Sequence, residues 1–567
     1  MNIETIIEEI DKENYKLKIN DILEEHQKNK DNEMFSKISV RKQFGIYYTN
    51  FDIAYKITSE TLKYNKKDFN ELLFYEPCVG VGVFVITYLE YLYNKNIKQN
   101  DIINIIKNIY ISDIDKDAVD IAIKLIKKFI KVKWDIFIDL KEENIFIGDV
   151  IADADCKILT IKDLFKKDLV FDLVLTNPPY KNLKATSKEF DIDKIEEYKL
   201  YYSKLSKEIR KILPNQQGTL NLYKVFLELI YTKYTEKNSC IGVIIPTTLL
   251  SDYTSTSIRK FIFENSKIDN IYLLSENTKE FKSICQAMCY FGSQRNPNII
   301  NRLTIIDEKE TTIIQSMDFS EIEHIDSNAT IVKLTDLTYS ILNKIHKYPK
   351  IREIKDIYNL RGELDLTINK KYITNNHTKY NLLQGKNILE WNYTKNDLFT
   401  KEEFVDNEIT KKVKYITEDR LICQQISNLK SKKRLKFCKI PANYVLGNSC
   451  NFIATNENIS INYLLGLLNS YLFDWRFKLF SSNNHINNYE LDDLPINYNE
   501  EYIAKIELYV AEILNGNFES VVDLNITVFE LFNLDYNEIN EIMKDYNDKN
   551  AMRIKQKLDK NIMIEIR

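Results

Sequence analysis

Between about residues 70 and 300, short apolar, β-branched runs alternate with longer stretches whose apolar positions recur at helical spacing. ELLFYEP, NIYISDI, NIFIGDV, FDLVLTN, CIGVIIP, NIYLLSE and AMCYFGS read as strands. KDAVDIAIKLIKKFI and YKVFLELIYTKY read as helices between them. This alternation predicts an α/β fold with a doubly wound, mostly parallel sheet, in which a ligand sits beyond the C-terminal ends of the strands. Residues 1–40 read as a charged helical segment, and after about residue 330 the strands become irregular and the loops lengthen. The expected organisation is a helical segment (1–40), an α/β domain (41–330) and a mixed α/β domain (331–567). The polar stretch 181–217 reads either as a mobile substrate-covering loop containing a helix or as a surface insertion.

The strand ends carry the candidate chemistry. The first, Glu76-Pro77, enters a turn with Gly80 and Gly82, residues that let a backbone approach a ligand closely but also serve plain tight connections. The second ends in ISDIDKDAV, where Asp113 or Asp115 could hold ribose hydroxyls and Asp115 or Asp117 could instead cap the next helix. The third places Asp149 at its end, where a carboxylate can accept from an adenine amino group. Three acidic strand ends after a glycine turn point to an adenosine-type cofactor. The absence of a Gly-x-x-x-x-Gly-Lys-Ser/Thr loop argues against a nucleoside triphosphate.

The fourth strand, FDLVLTNPPY, ends in two of the chain's 9 prolines. Adjacent prolines fix φ, remove two donors and push Asn177 out of the helical region. The turn then offers rigid backbone carbonyls, the Asn177 amide oxygen and the flat face of Tyr180. Two fixed acceptors beside an aromatic face suit an amino group on a planar ring. Held in a pyramidal geometry, such an amine regains its lone pair for attack, which is stabilisation specific to the transition state.

Composition narrows the picture. The net charge of −4 excludes a uniformly basic nucleic-acid binder, so positive charge must be local. No apolar run reaches the roughly 18 residues of a membrane span, and the acidic start MNIETIIEEIDKENYK lacks the features of a signal peptide, so a cytoplasmic protein is expected. The 8 cysteines form no Cys-x-x-Cys pair and only 5 histidines are present, so no metal site is expected and the thiols read as reduced core residues.

FDLVLTNPPY resembles motif IV of the S-adenosylmethionine-dependent amino-methyltransferases, EPCVGVGVF motif I, ISDIDKDA motif II and IGDV motif III. Upstream, FGIYYTN resembles motif X, and downstream GTLNLYKVFLE and IGVIIPTTLL resemble the following motifs. The order, X first and a large C-terminal domain last, is that of the gamma-class N6-adenine DNA methyltransferases, here type IIG-like without a nuclease segment, as in an orphan methyltransferase. The resemblance implies that Asn177 and the Pro178 carbonyl hold the adenine N6 beside Pro179, that Tyr180 stacks on the base, and that Phe281 covers its other face. It implies that Tyr48, Thr49, Glu76, Pro77 and Gly80 hold the methionine end of S-adenosylmethionine. It gives Asp113 with Ile114 the ribose, and Asp149 with Val150 the cofactor adenine. Asp113 stands where Glu is usual, so its reach to the ribose is longer. NPPY also occurs in RNA and protein amino-methyltransferases, which usually lack a large C-terminal domain. A cytosine-C5 enzyme is excluded, because Pro77-Cys78 lies in the cofactor turn.

Residues 411–440 carry ten Lys/Arg against Glu418 and Asp419, which reads as phosphate contact or as a solvated basic face. YNLLQGKNILEWNY and INYLLGLLNSYLFDWRF resemble segments of restriction–modification target recognition domains, the second reading as one amphipathic helix. Gln424, Gln425, Asn428, Lys430, Lys432, Lys433 and Arg434 are the candidate DNA contacts. The expectation is a monomer at the nucleoid that reads a non-palindromic duplex site and flips one adenine. A restriction–modification specificity subunit without catalysis is the alternative from another class.

Overall fold

The computed structural model describes residues 2–274, 287–297, 301–307, 312–456, 458–481 and 483–565. The chain divides into two compact units, Met1–Ile322 with Asn328–Lys333, and Glu323–Ser327 with Leu334–Arg567.

The first unit is built on one sheet. Its strands are β1 (Phe74–Glu76), β2 (Ile109–Asp113), β3 (Ile145–Ile147), β4 (Phe171–Thr176), β5 (Thr235–Pro246), β6 (Ser266–Lys267), β7 (Asn270–Leu274), β8 (Met288–Arg295), β9 (Arg302–Asp307) and β10 (Thr312–Asp318). The order is β10-β9-β7-β8-β5-β4-β1-β2-β3, with β6 paired to β8. From β5 to β3 every pairing is parallel, while β8 runs antiparallel to both β5 and β7. All seven expected strands form; β6, β9 and β10 extend the sheet beyond them. The chain runs β1-β2-β3 to one side and then resumes at β4 and β5 on the other, so the switch point lies between β1 and β4.

The helices that accompany it include α1 (Ile3–Glu8), α2 (Tyr15–Asn32), α3 (Val40–Phe44), α4 (Phe51–Leu62), α5 (Val83–Asn94), α6 (Gln99–Ile106), α7 (Lys116–Trp134), α8 (Ile161–Phe165), α9 (Ile192–Ile212) and α10 (Leu222–Leu229). The charged N-terminal segment does not stand apart: Ile6, Ile19 and Ile22 are buried in the same core as Phe74, Ile111 and Leu173 of the strands. Apolar residues at 19, 22 and 23 form one stripe of α2, and its remaining faces are charged.

The second unit holds two four-stranded sheets. Its strands are β11 (Ile357–Arg361), β12 (Ile373–Thr374), β13 (Tyr380–Leu383), β14 (Phe399–Thr400), β15 (Arg420–Gln424), β16 (Phe437–Ile440), β17 (Tyr444–Leu446) and β18 (Cys450–Thr455). They pair as β11-β18-β15-β16 and β12-β14-β13-β17. INYLLGLLNSYLFDWRF forms two helices, not the single amphipathic helix expected: Ile461–Leu468 and Tyr471–Phe480. The break has a cause. The Asn469 side chain donates to the Phe437 carbonyl at 2.9 Å and accepts from its N–H at 2.8 Å, while Ser470 caps the second helix. Tyr471, Phe473, Trp475 and Phe477 are core residues. No helix among the described residues is long and apolar enough to cross a membrane.

Candidate active site

The C-terminal ends of β1 to β4 open onto a cavity of about 420 Å³. Its walls include Tyr48, Thr49, Glu76, Pro77, Gly80, Asp113, Ile114, Asp149, Val150 and Asn177, so one space collects every residue expected around the cofactor. Glu76 lies at the end of β1 with its carboxylate 1% exposed and accepts one hydrogen bond, from the Val85 N–H of α5 at 3.2 Å. Asp113, at the end of β2, accepts from the Gly80 N–H at 2.8 Å and the Asp115 N–H at 3.0 Å. Asp149 accepts from the Ile151 N–H at 2.8 Å. Burial is the dominant effect on all three: it raises the Glu76 and Asp149 carboxyls and lifts Asp113 to about 6 against its backbone hydrogen bonds.

Asp113 and Asp115 differ in what each side chain already does. Asp115 caps α7 through the Asp117 N–H and pairs with Lys30 at 2.8 Å. Asp113 ties the glycine turn to the end of β2. Gly80 sits at φ +50, and a Cβ there would lie 2.6 Å from the Tyr48 ring, so the turn admits only glycine under that aromatic side chain.

The NPPY turn forms the rim. The Asn177 Nδ2 donates to the Tyr47 carbonyl at 2.7 Å and to the Thr49 hydroxyl at 3.0 Å, tying the end of β4 to the loop after α3. Its Oδ1 and the Ile244 carbonyl, the latter 2.9 Å away, both face the Tyr180 hydroxyl, which shares its one proton between them. The Tyr180 ring stacks on Tyr47 with centroids 5.6 Å apart and meets Tyr223 edge-on at 6.2 Å. Asn177 and Pro179 line the cavity, while nothing among the described residues donates to the Pro178 carbonyl. Phe281 lies outside the described residues.

Sequence reasoning missed part of the wall. Helix α9, inside the polar stretch 181–217, turns Tyr198, Tyr201 and Tyr202 onto the cavity. Lys181 lines it too and pairs with Glu189 at 2.9 Å. The Tyr198, Tyr201, Tyr202 and Leu205 spacing on one helical face was the available signal.

The candidate DNA contacts of the second unit fare differently. Asn428, Lys430 and Lys432 are exposed, the Lys432 ammonium donating to Asn547. Gln424 ends β15, and the Gln425 side chain accepts from Arg361 at 3.2 Å. Arg434 is a correction. It is 1% exposed, its guanidinium donates to the Asn483 carbonyl at 2.7 Å and lies over the Phe477 ring, so it pins a loop and presents nothing to a base edge. The Lys433 ammonium is spent on Glu390 and the Asn469 carbonyl. Arg420, also counted in the basic run, is fully buried against Glu363.

Comparison with known proteins gives the architecture a relationship. Residues 52–281 match the Eco57I restriction-modification methylase family, and residues 380–496 match the TaqI-like C-terminal specificity domain. Residues 52–281 are thus similar to the restriction-modification methylases, and residues 380–496 to a specificity domain. A type II methyltransferase, M.BanIII of Aneurinibacillus aneurinilyticus, is 25% identical over 261 residues, covering 45% of this chain. That match spans 39% of the relative's own length. Among solved structures, the type IIL restriction-modification enzyme MmeI in complex with DNA is 11% identical, covering 93% of this chain and 80% of that one with a TM-score of 0.46. A class I S-adenosylmethionine-dependent methyltransferase of Listeria monocytogenes is 15% identical, covering 53% and 74%, with a TM-score of 0.34.

The similarity of residues 52–281 to the restriction-modification methylases makes S-adenosylmethionine the methyl donor to test against the cavity, and the cavity's donor set fits it. Among the described residues Glu76 is a buried carboxylate with one hydrogen bond and no cation beside it, an arrangement that suits an ammonium. Asp113 and Asp149 stand at successive strand ends where hydroxyl and amino donors would meet them.

Proposed function

We propose that this protein methylates the N6 amino group of an adenine in duplex DNA, at a non-palindromic site and on one strand. The observation that carries the reading is the junction of the cavity and the NPPY turn. Asn177 is a wall of the space that fits the cofactor and a member of the turn that offers acceptors to an amino group. When bound, S-adenosylmethionine supplies a methyl group on a cationic sulfur. Glu76, Thr49 and Tyr48 would hold its methionine end, Asp113 with Ile114 its ribose, and Asp149 with Val150 its adenine.

The chain's own contribution is positioning. The Asn177 amide is locked by two donated hydrogen bonds, so its Oδ1 has a fixed direction and keeps a second lone pair beside the Tyr180 hydroxyl. With the free Pro178 carbonyl it makes two acceptors, which favour the pyramidal amine. An adenine must leave the stack to reach that rim, and Tyr180, with Phe281 as the second aromatic, would take up the stacking it loses. The family's association with DNA modification and the match to a specificity domain support a DNA substrate over RNA or protein. The second unit would read the site, with Lys430 and Lys432 on phosphates and Gln424, Gln425 and Asn428 nearest to base edges. A monomer at the bacterial nucleoid completes the proposal.

The test is transfer of a radiolabelled methyl group to duplex DNA, to RNA and to protein, followed by nucleoside chromatography of the product. N6-methyladenine in DNA is expected. Label in RNA or protein alone would overturn the reading, and cofactor binding without transfer to any of them would make the chain a specificity protein.

A further inference from the structure

Helix α2 is not named by any motif, yet it reaches the cavity wall at two points. His26 and Lys30 lie four residues apart, on one face, and both are buried. His26 Nδ1 and the Tyr48 hydroxyl are 2.7 Å apart. The other ring nitrogen faces Asp115 Oδ2 at 3.9 Å. With Nε2 protonated toward that carboxylate, Nδ1 is left to accept the Tyr48 proton. Burial lowers the His26 pKa, which agrees with a neutral imidazole. One turn further, the Lys30 ammonium holds Asp115 Oδ2 at 2.8 Å.

These contacts close a ring around one side of the cavity. Tyr48 lies on Gly80, whose N–H holds Asp113. Asp113 also accepts from the Asp115 N–H, and Asp115 returns to α2 through Lys30. Tyr48 returns to the same helix through His26. Each link is short and partly buried, and two of its members, Tyr48 and Asp113, are residues proposed to touch the cofactor. A side chain already held in its working position loses little entropy on binding.

We infer that His26 and Lys30 are positioning residues for the cofactor: α2 pre-sets the Tyr48 ring and the Asp113 carboxylate so that the site binds S-adenosylmethionine without first having to order its wall. The inference rests on the cofactor reading above. His26 does not touch the cofactor; it acts through Tyr48, and Lys30 acts through Asp115.

Calorimetry with S-adenosylhomocysteine on the full chain tests it. His26→Leu should weaken binding about five- to tenfold, the worth of one buried hydrogen bond. His26→Asn, whose side-chain oxygen stands near the Nδ1 position, should restore most of the affinity. Tyr48→Phe should lose a comparable factor, and adding His26→Leu to it should cost little more, because both remove the same link. Lys30→Met should weaken binding similarly while DNA affinity in a filter-binding assay stays unchanged. Full affinity in a folded His26→Leu protein would overturn the inference, as would equal losses in the leucine and asparagine variants or fully additive losses with Tyr48→Phe. If His26→Leu fails to fold, the Tyr48→Phe and His26→Asn pair decides in the same way, because only a positioning role separates them. Wild-type protein that binds no S-adenosylhomocysteine would sink the cofactor reading itself.

Discussion

Two sets of conspicuous charge, the strand-end acids of the first unit and the basic run of the second, meet opposite fates in the fold. Glu76 is buried and Asp113 and Asp149 are half-buried, with backbone N–H groups as their partners and, among the described residues, no cation beside them. Arg420 and Arg434 are buried against partners within the fold, Glu363 in one case and main-chain carbonyls in the other, with some of their guanidinium nitrogens left unpaired among the described residues. A buried charge that the fold leaves short of counter-charge is a place where a ligand is missing. A buried charge that the fold has already neutralised is part of the scaffold. Net charge along the sequence does not distinguish the two, and the local excess of Lys and Arg between residues 411 and 440 overstates the cationic surface for that reason.

The comparison can be broken at either end. The largest effect is expected from Arg420→Met. It strands the Glu363 carboxylate in the core and should cost about 3–5 kcal/mol of stability by denaturant unfolding, much of it recovered when Glu363→Leu is added. A change below about 1 kcal/mol would mean that Arg420 is not scaffold. Next is Asn177→Ala, which should lower the methyl-transfer rate by about 10²–10³-fold or more while leaving cofactor affinity largely intact. Retained transfer would remove the NPPY rim from the chemistry.

Cofactor affinity should also depend on pH. The Asp113 carboxyl, raised to about 6 by burial, is protonated below that pH in the free site. Binding that favours the carboxylate therefore strengthens as pH rises through about 6 and levels off above about 7, with proton release measurable by calorimetry in buffers of different ionisation enthalpy. A pH-independent affinity from 5 to 8 would mean that Asp113 makes no such contact. The smallest effect belongs to Lys430→Ala and Lys432→Ala. Each should reduce the salt dependence of DNA binding by about one counterion without moving the melting temperature. Arg434→Ala should do the reverse, lowering stability and leaving the salt slope alone.

How far the chain could be read follows from the same physics. The seven expected strands form because continuous apolar runs bounded by Pro, Gly and Asp have few alternatives, and the strand-end residues converge because a parallel sheet places all its C-terminal ends on one edge. What escaped was tertiary. His26 and Lys30 look like ordinary members of a charged helix until α2 is packed against the sheet. The tyrosines of α9 sit in a stretch that reads as a substrate-covering loop containing a helix or as a surface insertion, and its polarity obscures which face of that helix meets the cavity. Strands β9 and β10, which alternate with polar residues at the sheet's edge, carry weaker patterns than the buried strands. The break at Asn469–Ser470 depended on a hydrogen-bond partner 32 residues away.

Gly45 ends α3 in a left-handed turn, and a Cβ on it would meet the Tyr180 main chain at 2.8 Å. The Tyr180 N–H donates to the Gly45 carbonyl at 3.2 Å, so the loop that carries Tyr48 and Thr49 and the turn that carries Asn177 touch backbone to backbone. Any residue but glycine at position 45 would push the two loops apart, so Gly45→Ala is expected to disturb the wall that carries Tyr48 and Thr49 and the NPPY turn at once, through the addition of a single methyl group.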